Sequence, residues 1–168
     1  GDISREAYFS VIDYKTSSLL GASAYIGAKT ATTDKDYTKY AEEFGRLLGR
    51  AFQIKDDILD FEISQVSGKK YGNDIKECKF TLPILDYIDT LSEEVKLNVI
   101  NFVKQKNKSD EDVLKLVLDI AKSGSIEKTE EQVKYYSNKA KEVLSNLPET
   151  QYREILEQLV EILVKRNN

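Results

Sequence analysis

The stretch "AFQIKDDILDFE", residues 51–62, poses the question on which the fold turns. Phe52, Ile54, Ile58, Leu59 and Phe61 surround Asp56, Asp57 and Asp60. Helices of soluble proteins bury hydrocarbon and expose charge. A helix with three aspartates among its apolar residues therefore needs something that makes the arrangement tolerable. Side chains three and four residues apart stack on one helix face, which groups Gln53, Asp56 and Asp60. Ala41, Gly45, Leu48, Phe52, Asp56 and Leu59 follow the same spacing, so Asp56 falls inside an apolar stripe.

Outward from this stretch the chain reads as helix after helix. Residues 4–28 open on a cap-like Ser4 and carry Tyr8, Ile12, Leu19, Ala22 and Ile26 at helical spacing. Lys15 falls inside that stripe. Asp34 caps a segment over 35–62, with Phe44, Leu48, Phe52 and Leu59 on one side. Residues 63–80, "ISQVSGKKYGNDIKECKF", are polar and glycine-bearing and read as a loop. Helical patterns resume over 81–90, 92–106, 110–123, 126–146 and 149–166. Pro83 and Pro148 sit at helix starts or breaks. "DKD" at 34–36 and "DED" at 110–112 lie at helix starts and read as caps. The pattern predicts an all-α fold, an antiparallel helical bundle.

The bulk numbers narrow the function. The chain has 168 residues, enough for one domain with a core of its own. A net charge of -4 argues against a general nucleic-acid binder. No apolar run approaches the length of a membrane span, and "GDISRE" at the start is too polar for a signal peptide. Cys78 is the single cysteine, so no internal disulfide exists; a reducing, cytoplasmic setting fits. Histidine is absent, which removes the commonest general base and the commonest zinc ligand.

A metal in this chain is therefore expected to be a hard cation held by carboxylates. One lysine and one aspartate facing inward are as readily a structural ion pair as a site. Three aspartates within five residues repel one another and raise each other's pKa values. A divalent cation relieves that repulsion. Magnesium takes one or two carboxylates and completes its shell with water and phosphate, and nearby lysines bind the same phosphate as point charges. The loop "GKKYGNDIKECK" offers Lys69, Lys70, Lys76 and Lys79 around Gly68 and Gly72, with Asp74 between them. A lysine-rich loop alone is usually only solvated; placed directly after the aspartates it reads as a ligand loop.

These residues resemble the trans-isoprenyl diphosphate synthases, the polyprenyl synthetase family. "GRAFQIKDDILD" looks like the family's second aspartate-rich motif, and "YKTSSLLGASAYIGA", residues 14–28, resembles its Lys-Thr helix. "GKKYGNDIKECKFTLPIL", residues 68–85, resembles its GKxxGxDxxxGKxTLPxL stretch, and "LPETQYREILEQLVEILVKR" resembles its last helix. The resemblance implies the C-terminal part of a single isoprenoid synthase domain over residues 1–168. It implies Mg2+ at Asp56, with Asp57 and Asp60 in support. Lys15 and Lys69 would bind an allylic diphosphate, Thr16 and Gln53 would orient the allylic chain, and Asp74 and Lys79 would line the substrate site. The implied reaction is ionisation of an allylic diphosphate, attack by isopentenyl diphosphate and loss of a proton. The full-length family member is implied to be a homodimer.

Two departures stand out. Cys78 replaces the glycine usual before the lysine of the second GK pair. The family's first aspartate-rich motif, and the basic residues that hold isopentenyl diphosphate, do not occur in the 55 residues before Asp56. Three readings follow. The chain is the C-terminal half of a prenyltransferase, inactive when isolated. Alternatively it is a non-catalytic or regulatory subunit of a heteromeric synthase. A helical terpene cyclase is the third, disfavoured by the Lys-Thr and GK-TLP motifs.

Overall fold

The computed structural model of the chain describes residues 2–62 and 71–165, and no strand occurs among them. The helices are α1 (Arg5–Ile12), α2 (Ser18–Ala31), α3 (Lys35–Leu59), α4 (Asn73–Lys76), α5 (Leu82–Ile88), α6 (Glu93–Lys104), α7 (Asp110–Lys122), α8 (Ser125–Leu144) and α9 (Gln151–Lys165). The all-α fold expected from the periodicity is the observed one. The four-residue α4 lies within the segment read as loop. None of the described helices is long and apolar enough to cross a membrane.

The expected caps at α1 and α3 are present. The Ala7 N–H donates to Ser4 Oγ at 3.1 Å, and the Asp36 and Tyr37 N–H groups donate to Asp34 Oδ1 at 2.8 and 3.3 Å. The start of α7 differs. Ser109 is the cap, its Oγ accepting from the Asp112 N–H at 3.0 Å. The acids 110–112 fill the first turn, where they face the positive end of the helix dipole.

The stripe read across residues 4–28 is corrected. Between α1 and α2 the chain makes one π turn, Asp13–Ser17, in which the Ser18 N–H donates to the Asp13 carbonyl. This wider turn absorbs an extra residue and moves every later side chain round the axis. The buried positions after Ile12 are then Ser17 and Gly21. Leu19 is 68% and Ile26 61% exposed, and Ala22 and Lys15 are exposed with them. The α3 stripe is corrected at Phe52, which is exposed. Between Leu48 and Leu59, Phe52 and Asp56 are the exposed residues, and every other position except half-buried Arg50 is buried. A helix enclosed on nearly all sides has no broad polar face, so its charges are either inside or on this narrow strip.

The described residues form two compact units, one from 2–8, 56–62 and 71–130, the other from 9–55 and 131–165. In the second unit Phe44, Leu48 and Ala51 of α3 pack with Ala140 and Leu144 of α8 and Val160 and Leu163 of α9. The backbones of α2 and α3 touch here. A Cβ on Gly45 would stand 2.4 Å from the Leu20 carbonyl oxygen, and one on Gly49 would stand 2.6 Å from Ser17 Cα. Both obstacles are main chain, so neither can yield by rotating a side chain.

The first unit buries Leu82, Ile84, Leu85 and Ile88 of α5 and Val113, Leu116, Val117 and Ile120 of α7. Gly72 combines a φ of +66° with a tight fit, since a Cβ would meet Val113 Cγ1 at 2.6 Å. Fully buried Asp86 lies in this unit. It is ion-paired with Arg5 and, at 3.1 Å, with Lys128, and it accepts the Thr129 hydroxyl at 2.8 Å. Burying a carboxylate is costly unless it is paired and hydrogen-bonded, and Asp86 is both.

Gly49→Ala is expected to lower unfolding free energy by about 1–3 kcal/mol, since overpacking against fixed backbone has that magnitude. Asp86→Ala is expected to cost about 3 kcal/mol, the low end for a broken buried pair, because Arg5 and Lys128 keep access to water. Urea unfolding of the two variants checks both figures.

Candidate functional site

In the second unit the site residues gather where the π turn meets α3. The Thr16 hydroxyl donates to Gln53 Oε1 at 2.8 Å, and Gln53 is buried. One helical turn earlier on α3, Arg50 grips Asp13 with both arms of its guanidinium, Nε to Oδ1 at 2.7 Å and Nη2 to Oδ2 at 2.6 Å. Bidentate pairs of this kind fix geometry as well as adding energy. Arg50 also lies over the rings of Phe9 and Tyr136, 5.6 and 5.3 Å from their centroids, a cation–π arrangement. The Asp13 hydrogen bonds hold its pKa above the ordinary arginine value. The π turn is thus tied to α3 at Asp13 and at Thr16. Lys15, between them, is exposed. The arrangement presents an ammonium group beside a hydroxyl–amide pair of fixed orientation.

The first unit holds the aspartates, and they are not equivalent. Asp56 is exposed. Asp57 is buried, and its Oδ2 accepts the hydroxyl of buried Tyr8 at 2.7 Å. Asp60 holds the start of α4. Its Oδ1 accepts from the Asn73 N–H and from Asn73 Nδ2, both at 3.0 Å, and its Oδ2 accepts from the Asp74 N–H at 2.8 Å. The Asp60 carbonyl accepts the Gly72 N–H at 2.9 Å as well. Asp74 is pushed up from the ordinary carboxylate range, by burial first and then by the neighbouring charge of Asp60. Lys79 bridges Glu77 at 2.5 Å and Asp74 at 3.4 Å, and its pKa is raised, chiefly by the hydrogen bond to Glu77. Lys76 pairs with Asp110 at 2.5 Å. Lys69, Lys70 and Gly68 lie outside the described residues. Cys78 has a φ of +59°, in the region where a glycine is unstrained and another residue is held at a cost of about 1 kcal/mol or more.

Among the described residues no group of three acidic or thiol side chains is placed to hold a metal ion. A smaller donor set suits magnesium, which uses one or two carboxylates and leaves the remaining positions to water and phosphate. Exposed Asp56 is a donor of this kind.

Three features escaped the sequence reading. Tyr8 entered it only as an apolar position, and nothing in its spacing relative to Asp57 marks a bond across 49 residues of chain. The Asp13–Arg50 clamp left no periodic trace. The bonds from Asn73 and Asp74 to Asp60 had a faint signal, because aspartate commonly caps the start of a following helix turn.

With this geometry in place, comparison with known proteins is informative. The sequence profile of the polyprenyl synthetase family matches residues 1–120. The chain belongs to the polyprenyl synthetase family. It is 34% identical over 168 residues to octaprenyl diphosphate synthase of Escherichia coli (strain K12), covering 99% of this chain and 51% of that protein. It is 31% identical over 167 residues to geranylfarnesyl diphosphate synthase of Natronomonas pharaonis, covering 99% and 47%. Its structure is similar to that of geranylgeranyl pyrophosphate synthase from Bacteroides thetaiotaomicron, with a TM-score of 0.88 at 30% identity, covering 98% of this chain and 55% of that one. This polyprenyl synthetase chain therefore spans about half the length of these relatives.

Asp60→Ala is expected to loosen the start of α4. Hydrogen exchange at the Asn73 and Asp74 amides should quicken, and unfolding free energy should drop by about 1 kcal/mol, since the donors left unsatisfied are part-buried.

Proposed function

We propose that this chain supplies the diphosphate-ionising part of a magnesium-dependent trans-prenyltransferase, which condenses isopentenyl diphosphate with an allylic diphosphate. The observation that carries this reading is Asp56, an exposed carboxylate on a stretch of α3 that is otherwise almost wholly enclosed. Its neighbours Asp57 and Asp60 are held by donors of the chain itself. Asp56 is assigned as the principal ligand to Mg2+, with Asp57 and Asp60 in support. When bound, the cation supplies positive charge against the diphosphate oxygens. Lys15 and Lys69 add point charges to the same anion, so that negative charge growing on the leaving diphosphate is stabilised more than in the ground state. Thr16 and Gln53, locked to each other, orient the allylic carbon chain. Asp74 and Lys79 complete the substrate-binding set.

The whole reaction also requires a site for isopentenyl diphosphate, and the matched relatives are about twice as long as this chain. That length favours a second reading beside the first, in which the chain acts as a regulatory or non-catalytic subunit of a heteromeric synthase. The two readings part at Asp56. In the prenyltransferase assembled with its remaining half, Asp56→Ala should lower turnover by about 10³-fold or more while leaving the unfolding midpoint nearly unchanged. Near-normal turnover would refute the metal-ligand assignment and favour the regulatory reading. The isolated 168 residues should bind inorganic diphosphate only when magnesium is present, and should give no condensation product from radiolabelled isopentenyl diphosphate.

A further inference from the structure

We infer that Tyr8 is a positioning residue for the aspartate-rich motif, its hydroxyl fixing the direction in which the Asp57 carboxylate points. The inference rests on the reading of Asp56–Asp60 as a magnesium and diphosphate site.

Tyr8 is nearly buried, and its hydroxyl stands 2.7 Å from Asp57 Oδ2, a normal length for an O–H donor to a carboxylate. Asp57 is only 7% exposed. A carboxylate so enclosed is stable only where donors replace its water. Tyr8 is itself held in place. It lies three residues after Arg5, which pairs with buried Asp86, and four after Ser4, whose hydroxyl caps α1. Residues three apart share a helix face, so the first turn of α1 docks on the first unit through Arg5 to Asp86 and Tyr8 to Asp57. A donor anchored in this way restricts the carboxylate more tightly than water could. Partners one shell out from a metal site orient the acidic groups nearer the ion, and their loss commonly weakens metal binding 10- to 100-fold. A tyrosine that serves only the core would instead contribute stability and leave ion binding alone.

The test uses the chain as it stands, with calorimetric titration of Mg2+ in the presence of inorganic diphosphate. Circular dichroism and urea unfolding run alongside on wild type, Tyr8→Phe, Asp57→Asn and the double variant. Tyr8→Phe keeps the ring and removes only the hydroxyl. It is expected to keep helicity and cooperative unfolding while weakening magnesium affinity about tenfold, and to add nothing further in the Asp57→Asn background. Unchanged affinity in Tyr8→Phe would overturn the positioning role and leave the proposed function standing. The same loss in both backgrounds would also overturn it, since the effect would not pass through Asp57. Should Tyr8→Phe fold poorly, Asp57→Asn alone decides: it leaves the tyrosine in place, and wild-type affinity there would sink the inference. Absence of magnesium-dependent diphosphate binding in the wild type would refute the site reading itself, and the role of Tyr8 with it, before any variant is compared.

Discussion

The approach of α3 to the π turn is the contact on which the second unit depends. At Gly49 the two backbones come so close that a single methyl group would collide with Ser17 Cα. No larger residue can sit there without parting the helices. Once the main chains are in contact, short side chains suffice to lock them. Thr16 reaches Gln53 directly, and Asp13 reaches Arg50, because the axes are near enough for these side chains to span the gap. The π turn belongs to the same arrangement. Its extra residue turns Ser17 and Gly21 toward α3, and it leaves Lys15 on the outside. An uninterrupted α-helix would have carried the residues after Ile12 round by a different amount.

That detail also explains where the sequence was legible and where it was not. Helix existence was readable because apolar residues recur at three- and four-residue spacing over long segments, as in α7 and α9, and because Ser4 and Asp34 are strong cap residues in position. The stripe through Lys15, Leu19 and Ile26 failed because a constant period was carried across a π turn, and nothing in "DYKTS" announces one. The loop was legible as a break but not as a fold of its own, since α4 is made by long-range acceptors on Asp60 rather than by local propensity. The candidate residues were found through motif order. Their differing environments were not, because burial at Asp57 and exposure at Asp56 depend on α1 and on the enclosure of α3, neither of which adjacent residue types encode.

The question raised by "AFQIKDDILDFE" has a more specific answer than relief of repulsion by a cation. Three carboxylates in five residues would each have a raised pKa if they shared one environment. They do not share one. Asp57 turns inward to a tyrosine hydroxyl, Asp60 turns forward to the amides of Asn73 and Asp74, and Asp56 is exposed. Donors of the chain thus stabilise the charges of Asp57 and Asp60. Asp74 sits next to Asp60 and 3.4 Å from Lys79, and its carboxyl is displaced upward by burial first and then by the charge of Asp60. A cation arriving at Asp56 would meet an exposed carboxylate whose neighbours Asp57 and Asp60 are already fixed in direction. Little would then need to reorganise on binding, and preorganisation of this kind is what makes electrostatic stabilisation of a leaving group effective.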